Sequence, residues 1–107
     1  MDAKDFKEKK VLIMGLGLHG GGLAVARWML RAGAKVTITD LRTADVLAPS
    51  INALSSEASK PTFVLGHHRT EDFLSVDLII QNPGVPHASL YLAAAREAGI
   101  PIENEAT

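Results

Sequence analysis

The chain has no cysteine, which excludes disulfide staples and thiolate metal sites. A reducing compartment permits that absence without requiring it. Excess charge of either sign is missing too. Eleven lysines and arginines balance twelve acids, for a formal net charge of −1, so no global field draws the chain to nucleic acid or to an anionic membrane. No apolar run approaches the length of a membrane span. There is no G-x-x-x-x-G-K-[ST] phosphate loop, no nucleophile–base arrangement and no pair of catalytic carboxylates. No catalytic residue and no metal ligand is therefore assigned, and the chain reads as built to bind.

What is present is 107 residues, 47% of them hydrophobic, enough for one small domain with a real core. Lysines among residues 4–10, the apolar run Val11–Leu18 and the triplet Ala24-Val25-Ala26 have the outline of a secretory leader. Asp2, Asp5 and Glu8 dilute its charge, and His19 with the glycines interrupts its apolar stretch. The expected setting is the cytoplasm.

Short apolar runs alternate with helical patterns. Lys9–Met14, Lys35–Asp40, Pro61–Gly66, Val76–Gln81 and Ile100–Asn104 read as strands. The helical stretches are Leu23–Gly33, a weak one at Ile51–Ala58, a short turn around Glu71–Phe73, and Ala88–Gly99. Residues 41–50 read as a loop. Trp28, Met29 and Leu30 lie at core spacings. Continuous rather than alternating apolar strands mean a parallel sheet covered on both faces. With right-handed crossovers the prediction is α/β: a Rossmann-like, doubly wound, five-stranded sheet in the order 3-2-1-4-5. Residues 1–107 form one domain.

In such a sheet ligands bind beyond the carboxyl ends of the strands, where the winding reverses. Three loops meet that description. Gly15, Gly17 and Gly20 form G-x-G-x-x-G between a strand and a helix: the first permits a tight turn, the second lets a ligand reach the backbone, the third lets helix and strand pack closely. The helix then offers unpaired N–H groups to an anion, and a phosphate is the natural occupant. Gly21 and Gly22 exceed the motif; one reading is that they keep the helix entrance thin for a bulky ligand. Asp40 follows Gly20 by twenty residues, the place of a carboxylate that accepts from ribose hydroxyls, or equally from a base N–H; the plain alternative is a solvated aspartate capping a turn. Arg42 can hold a phosphate or stack on a flat ring. Asn82-Pro83-Gly84 faces the glycine loop across the crevice, or is simply a turn. His19 donates to a phosphate or caps the helix. His67-His68 suggests a metal, but adjacent rings rarely point the same way and no acid cluster completes a site, so a polar turn is expected.

Together, "VLIMGLGLHG", "GAKVTITD", "DLIIQNPGVP" and "AGIPIENE" resemble the N-terminal domain of the Mur ligases of peptidoglycan synthesis, over about Lys9 to Thr107. The similarity is greatest to the branch that adds D-glutamate to UDP-N-acetylmuramoyl-L-alanine; the L-alanine-adding branch shares the glycine loop. The resemblance implies a Rossmann-like domain that binds a UDP-sugar. Gly15, Gly17, Leu18, His19 and Gly20 would lie against the diphosphate and uridine, Asp40, Leu41 and Arg42 would hold the uracil end, and Asn82, Pro83 and Gly84 would close the opposite side. ATP, magnesium and the amino acid would bind to central and C-terminal domains outside these residues, leaving this stretch alone inactive and without a cofactor of its own. No nucleic-acid or membrane partner is implied. The sequence departs from the family pattern at His19, where Ser or Thr is usual, at Gly21-Gly22, and at Asn82, where Ser is commoner. Two other readings stand beside this one: an NAD-binding domain of a dehydrogenase or nucleotide sensor, and a scaffold without a ligand.

Overall fold

In the computed structural model, which describes residues 3–16, 21–82 and 89–104, five strands form one all-parallel sheet. They are β1 (Lys10–Met14), β2 (Lys35–Asp40), β3 (Thr62–Leu65), β4 (Leu78–Gln81) and β5 (Ile102–Asn104), in the order β3-β2-β1-β4-β5. The predicted sheet and its winding reversal between β1 and β4 are therefore observed. Register places Met14 beside both Thr39 and Gln81, and Asp40 beside Leu65. All the strands thus finish at one edge.

Each face has its own core. Helices α1 (Gly21–Arg31) and α2 (Ala44–Leu54) cover Val11, Ile13, Val36, Ile38 and Ile80 with Ala26, Met29, Leu30, Leu47 and Leu54. The shorter α3 (Thr70–Leu74) and α4 (Leu90–Glu97) cover Leu12, Met14 and Ile79 with Phe73, Leu92 and Ala95. Because β1 is buried on both faces, its residues 11–14 need no polar alternation. Both α1 and α4 stop in the same way. Gly33 and Gly99 take φ of 88° and 79°, and the residue after each donates to a carbonyl five back, Ala34 to Met29 and Ile100 to Ala95.

Two expectations need correction. Helix α2 begins at Ala44, inside the stretch read as a loop, and runs through Pro49. The proline removes one helical hydrogen bond, but Leu47 and Leu54 are buried and Ile51 packs beside them, so tertiary burial overrides the local signal. Trp28 is not core: it is 45% exposed and lays an edge against Phe6, ring centroids 5.4 Å apart. The buried side of α1 passes through Ala26, Met29 and Leu30 instead. Residues 3–6, for which no structure was predicted, form a 3-10 turn that buries Phe6.

Candidate functional site

The carboxyl edge of the sheet is held together by Asp40. It ends β2 and is only 4% exposed, so it is not the solvated strand-end acid considered above. Its Oδ2 accepts from the Leu16 backbone N–H at 2.9 Å and from Arg42 Nη2 at 2.9 Å; its Oδ1 accepts from the Arg42 backbone N–H at 2.9 Å and from Arg42 Nε at 3.1 Å. A carboxylate has about four acceptor positions, and here all are taken. Burial pushes the Asp40 carboxyl up, but the Arg42 guanidinium, the Arg42 and Leu16 N–H groups and the Arg42 charge outweigh it and hold it below its ordinary value.

The strand–turn that follows β1 is tied to the same point. Gly15, at φ 90°, donates its N–H to the Thr39 carbonyl at 2.8 Å, a conformation open to glycine at little cost. From the other side, Asn82 donates its backbone N–H to Met14 and its Nδ2 to the Gly15 carbonyl at 3.4 Å. Gly15, Asp40, Leu41, Arg42 and Asn82 are thus brought to one edge, with Leu41 exposed. The predicted site residues Gly17, Leu18, His19, Gly20, Pro83 and Gly84 lie outside the described residues.

Gly22, left over by the motif, has a clear role. A Cβ there would sit 2.3 Å from the Leu16 carbonyl oxygen and 2.7 Å from that of Gly15. Helix α1 therefore lies directly on the backbone of the turn, and Gly22 makes a close helix–strand contact of the kind expected of the motif's third glycine, Gly20, which lies outside the described residues. The entrance is thin at that residue for its own strand–turn.

A further loop reaches this edge. The segment after β3 also starts at a carboxyl end, and its Gly66 N–H points to the Asp40 and Arg42 carbonyls at 2.9 and 3.0 Å. The two histidines diverge, as adjacency suggests. His67 is exposed with Nδ1 3.2 Å from the Leu65 carbonyl. His68 turns inward, Nδ1 2.6 Å from Thr39 Oγ1, with its ring edge-on to Phe73 and Tyr91. Burial, the larger influence, pushes the His68 imidazole down, and the Asp40 charge pulls it up; His67 adds to the lowering. The signal available in the sequence was position, since every loop leaving a parallel strand reaches this edge.

An open groove at the amino ends of β1–β3 includes Lys10, Lys35, Lys60, Thr37 and Thr62. Lys35 pairs with Glu8 at 3.6 Å, and Lys60 donates to the Ser55 and Glu57 carbonyls. It lies opposite the edge just described. Among the described residues, no helix is long and apolar enough to cross a membrane.

Known proteins resemble this chain along nearly all of its length. The profile of the family described as "Mur ligase MurD-like, N-terminal domain" matches residues 9–104. A UDP-N-acetylmuramoylalanine--D-glutamate ligase from Roseiflexus sp. (strain RS-1) is 50% identical over 99 residues, 92% of this chain and 21% of that protein. The protein of the same name from Treponema pallidum (strain Nichols) is 50% identical over 98 residues, 91% of this chain and 18% of that protein. The chain thus spans about a fifth of the length of these relatives. Among solved structures, a chorismate mutase/shikimate 5-dehydrogenase fusion protein from Clostridium acetobutylicum superposes with a TM-score of 0.53 at 15% identity, covering 94% of this chain and 43% of that one. The minor L-lactate dehydrogenase from Enterococcus mundtii gives 0.51 at 15% identity, covering 91% and 36%. At that identity the likeness is one of fold.

Proposed function

Because the chain belongs to the MurD-like N-terminal domain family of the Mur ligases, we propose that its carboxyl edge binds the UDP end of UDP-N-acetylmuramoyl-L-alanine. The parent enzyme would be the cytoplasmic ligase of peptidoglycan synthesis that joins D-glutamate to this substrate. The observation that carries this reading is 50% identity to ligases of that name over nine-tenths of the chain; the geometry suggests where the nucleotide goes.

In the parent reaction the substrate carboxylate would take a phosphoryl group from ATP, releasing ADP. The D-glutamate amine would then attack the acyl phosphate, forming an amide and releasing phosphate. ATP and magnesium belong to parts of the enzyme outside this chain. This chain's own task is to anchor and orient. In that role Gly15, Gly17, Leu18, His19 and Gly20 line the diphosphate, and Asn82, Pro83 and Gly84 close the far side.

Asp40, Leu41 and Arg42 take the uracil end, and the four filled acceptor positions on Asp40 set a condition on how. A base N–H reaches the carboxylate when the Arg42 guanidinium swings away, which vacates one position on each oxygen. The Leu16 and Arg42 N–H groups keep the carboxylate in place meanwhile. Arg42 is about one-third exposed and so able to move. Once released, its planar guanidinium can lie against the ring.

The NAD reading draws on the same glycine motif and on Asp40. Titrating the chain with UDP-N-acetylmuramoyl-L-alanine and separately with NAD, following backbone amide signals, separates the two. Shifts at Gly15, Leu16, Asp40–Arg42 and Asn82 with the UDP compound are expected. Shifts at those residues with NAD alone would overturn the proposal.

A further inference from the structure

We propose that His68 is a positioning residue for the nucleotide-sugar crevice: its neutral ring, bonded to Thr39 and wedged against Phe73 and Tyr91, sets the spacing between the Asp40 wall and the α4 wall. This rests on the reading of the carboxyl edge as a UDP-sugar site.

Thr39 is the junction. It is fully buried, its carbonyl accepts the Gly15 N–H, and the next residue, Asp40, accepts the Leu16 N–H. Both bonds hold the glycine turn. Its hydroxyl anchors it sideways, meeting His68 Nδ1 at 2.6 Å. A second, longer contact of 3.4 Å runs from Thr39 Oγ1 to the His67 carbonyl. The hydroxyl has one proton to give. With Nδ1 unprotonated, the hydroxyl donates to the ring at the shorter distance; a protonated ring must itself donate, and the hydroxyl then turns to the His67 carbonyl.

The opposite end of the strut is aromatic. The His68 ring stands edge-on to Phe73, centroids 5.8 Å apart, and to Tyr91, 5.3 Å apart, while Phe73 and Tyr91 stack at 5.2 Å. Tyr91 lies in the first turn of α4, its N–H capped by Ser89, and α4 is the helix that follows the Asn82 loop. One ring therefore touches an element from each side of the crevice. The ionisable groups on the elements around it are Lys35 and Asp40 on β2 with Arg42 just beyond, His67 and Arg69 beside it, Glu71 and Asp72 on α3, and Tyr91, Arg96 and Glu97 on α4. Arg69 is paired with Asp72 at 2.9 Å and Arg42 with Asp40 at 2.9 Å, so the cations nearest the ring in sequence already have partners. Protonation reverses the Thr39 bond and places a cation among apolar rings.

Two variants divide the strut. His68→Phe keeps the aromatic contacts and removes the bond to Thr39; His68→Asn offers Thr39 a side-chain oxygen near the place of Nδ1 and does not titrate. Affinity for UDP-N-acetylmuramoyl-L-alanine is measured from about pH 7.5 to about pH 5, alongside thermal unfolding and NMR titration of each imidazole. A sugar-capped pyrophosphate has no group that titrates near neutrality, so the profile reports the protein. The expected result is that the unsubstituted chain binds more weakly as the His68 ring protonates. His68→Phe should bind roughly tenfold more weakly at neutral pH, and His68→Asn, which keeps the Thr39 bond but not the ring contacts, should lose less affinity than His68→Phe there and should lose the acid-side fall. Should His68→Phe fail to fold, Thr39→Val removes the same bond from the other side, with the same tenfold loss expected. Unchanged affinity in His68→Phe and Thr39→Val, or a flat pH profile in the unsubstituted chain, overturns the assignment of His68. No binding by the unsubstituted chain at any pH instead overturns the proposed nucleotide-sugar site.

Discussion

Asp40 and Glu57 are both buried against arginines, and they do different work. Asp40 accepts two backbone N–H groups as well as its guanidinium, so it shapes the main chain at the carboxyl edge. Glu57, 8% exposed just beyond α2, accepts only side chains: Arg31 Nε and Nη2 at 2.9 and 3.1 Å, with Arg27 Nε 3.3 Å away and not aligned as a hydrogen bond. The Arg31 hydrogen bonds outweigh burial and, with the charges of Arg31 and Arg27, hold the Glu57 carboxyl below its ordinary value. It is a clasp between α1 and the end of α2. The same acid–arginine chemistry thus makes a binding edge in one place and a helix clasp in the other, and what separates them is whether backbone donors are involved.

The strongest way to break the comparison is Asp40→Ala. It leaves the Leu16 N–H and the Arg42 side chain without their acceptor, and the expected cost is about 2–4 kcal/mol. Because 1 kcal/mol moves the midpoint of a domain this size by several degrees, thermal unfolding should fall by more than about 10 °C. UDP-sugar binding should disappear with it.

Gly22→Ala should come next, at about 1–3 kcal/mol, the usual range for overpacking. The added methyl pushes on the Leu16 carbonyl, so it disturbs the Asp40 end and spares the Glu57 clasp. Amide exchange should accelerate at Gly15 and Leu16 while the end of α2 is unchanged. Uniform acceleration would show that the two ends unfold as one unit.

Acid sharpens the contrast further. Asp40 has its folded value depressed, so its contribution is present above the unfolded aspartate value of about 3.9 and is lost as pH falls through the folded one. His68 acts earlier. Its folded value is also depressed, so the unfolded chain binds more protons, and stability begins to fall below about 6.5. Urea unfolding across this range should show two stages. His68→Asn should erase the upper one and Asp40→Asn should reduce the lower.

The smallest effect is expected from Glu57→Gln. Arg31 is well exposed, and pairs open to water are weak and screened by salt. The unfolding midpoint should drop less than for Asp40→Ala, and the difference from the unsubstituted chain should narrow as sodium chloride is added. A larger loss than at Asp40 would reverse the ranking of the two acids.

The strand order, the winding reversal and the edge at which Gly15, Asp40 and Asn82 meet were legible because they follow from short apolar runs, glycine spacing and handedness. What escaped depends on contacts between distant segments. Residues 41–50 read as a loop, and only burial of Leu47 and Leu54 shows why α2 starts inside it and continues through Pro49. Trp28 shared helical spacing with Met29 and Leu30, and spacing does not reveal how far the covering layer extends. Glu57 finds Arg31 across twenty-six positions, and nothing in either local stretch announces the pair. For Asp40 the type of role was legible; that its acceptors are already filled by Leu16 and Arg42 was not.

The all-parallel sheet also has a consequence for how the chain assembles. Its central strand, Val11–Met14, is the first made, yet its two neighbours are Val36–Thr39 and Leu78–Gln81. Neither is joined to it by a hairpin, so each pairing must close a long loop, which slows folding. As the polypeptide leaves the ribosome, one flank of this fully apolar strand stays open until Gln81 has emerged. Over that interval the nascent chain is at its stickiest, and conditions that slow elongation between the second and fourth strands should raise its demand for chaperones.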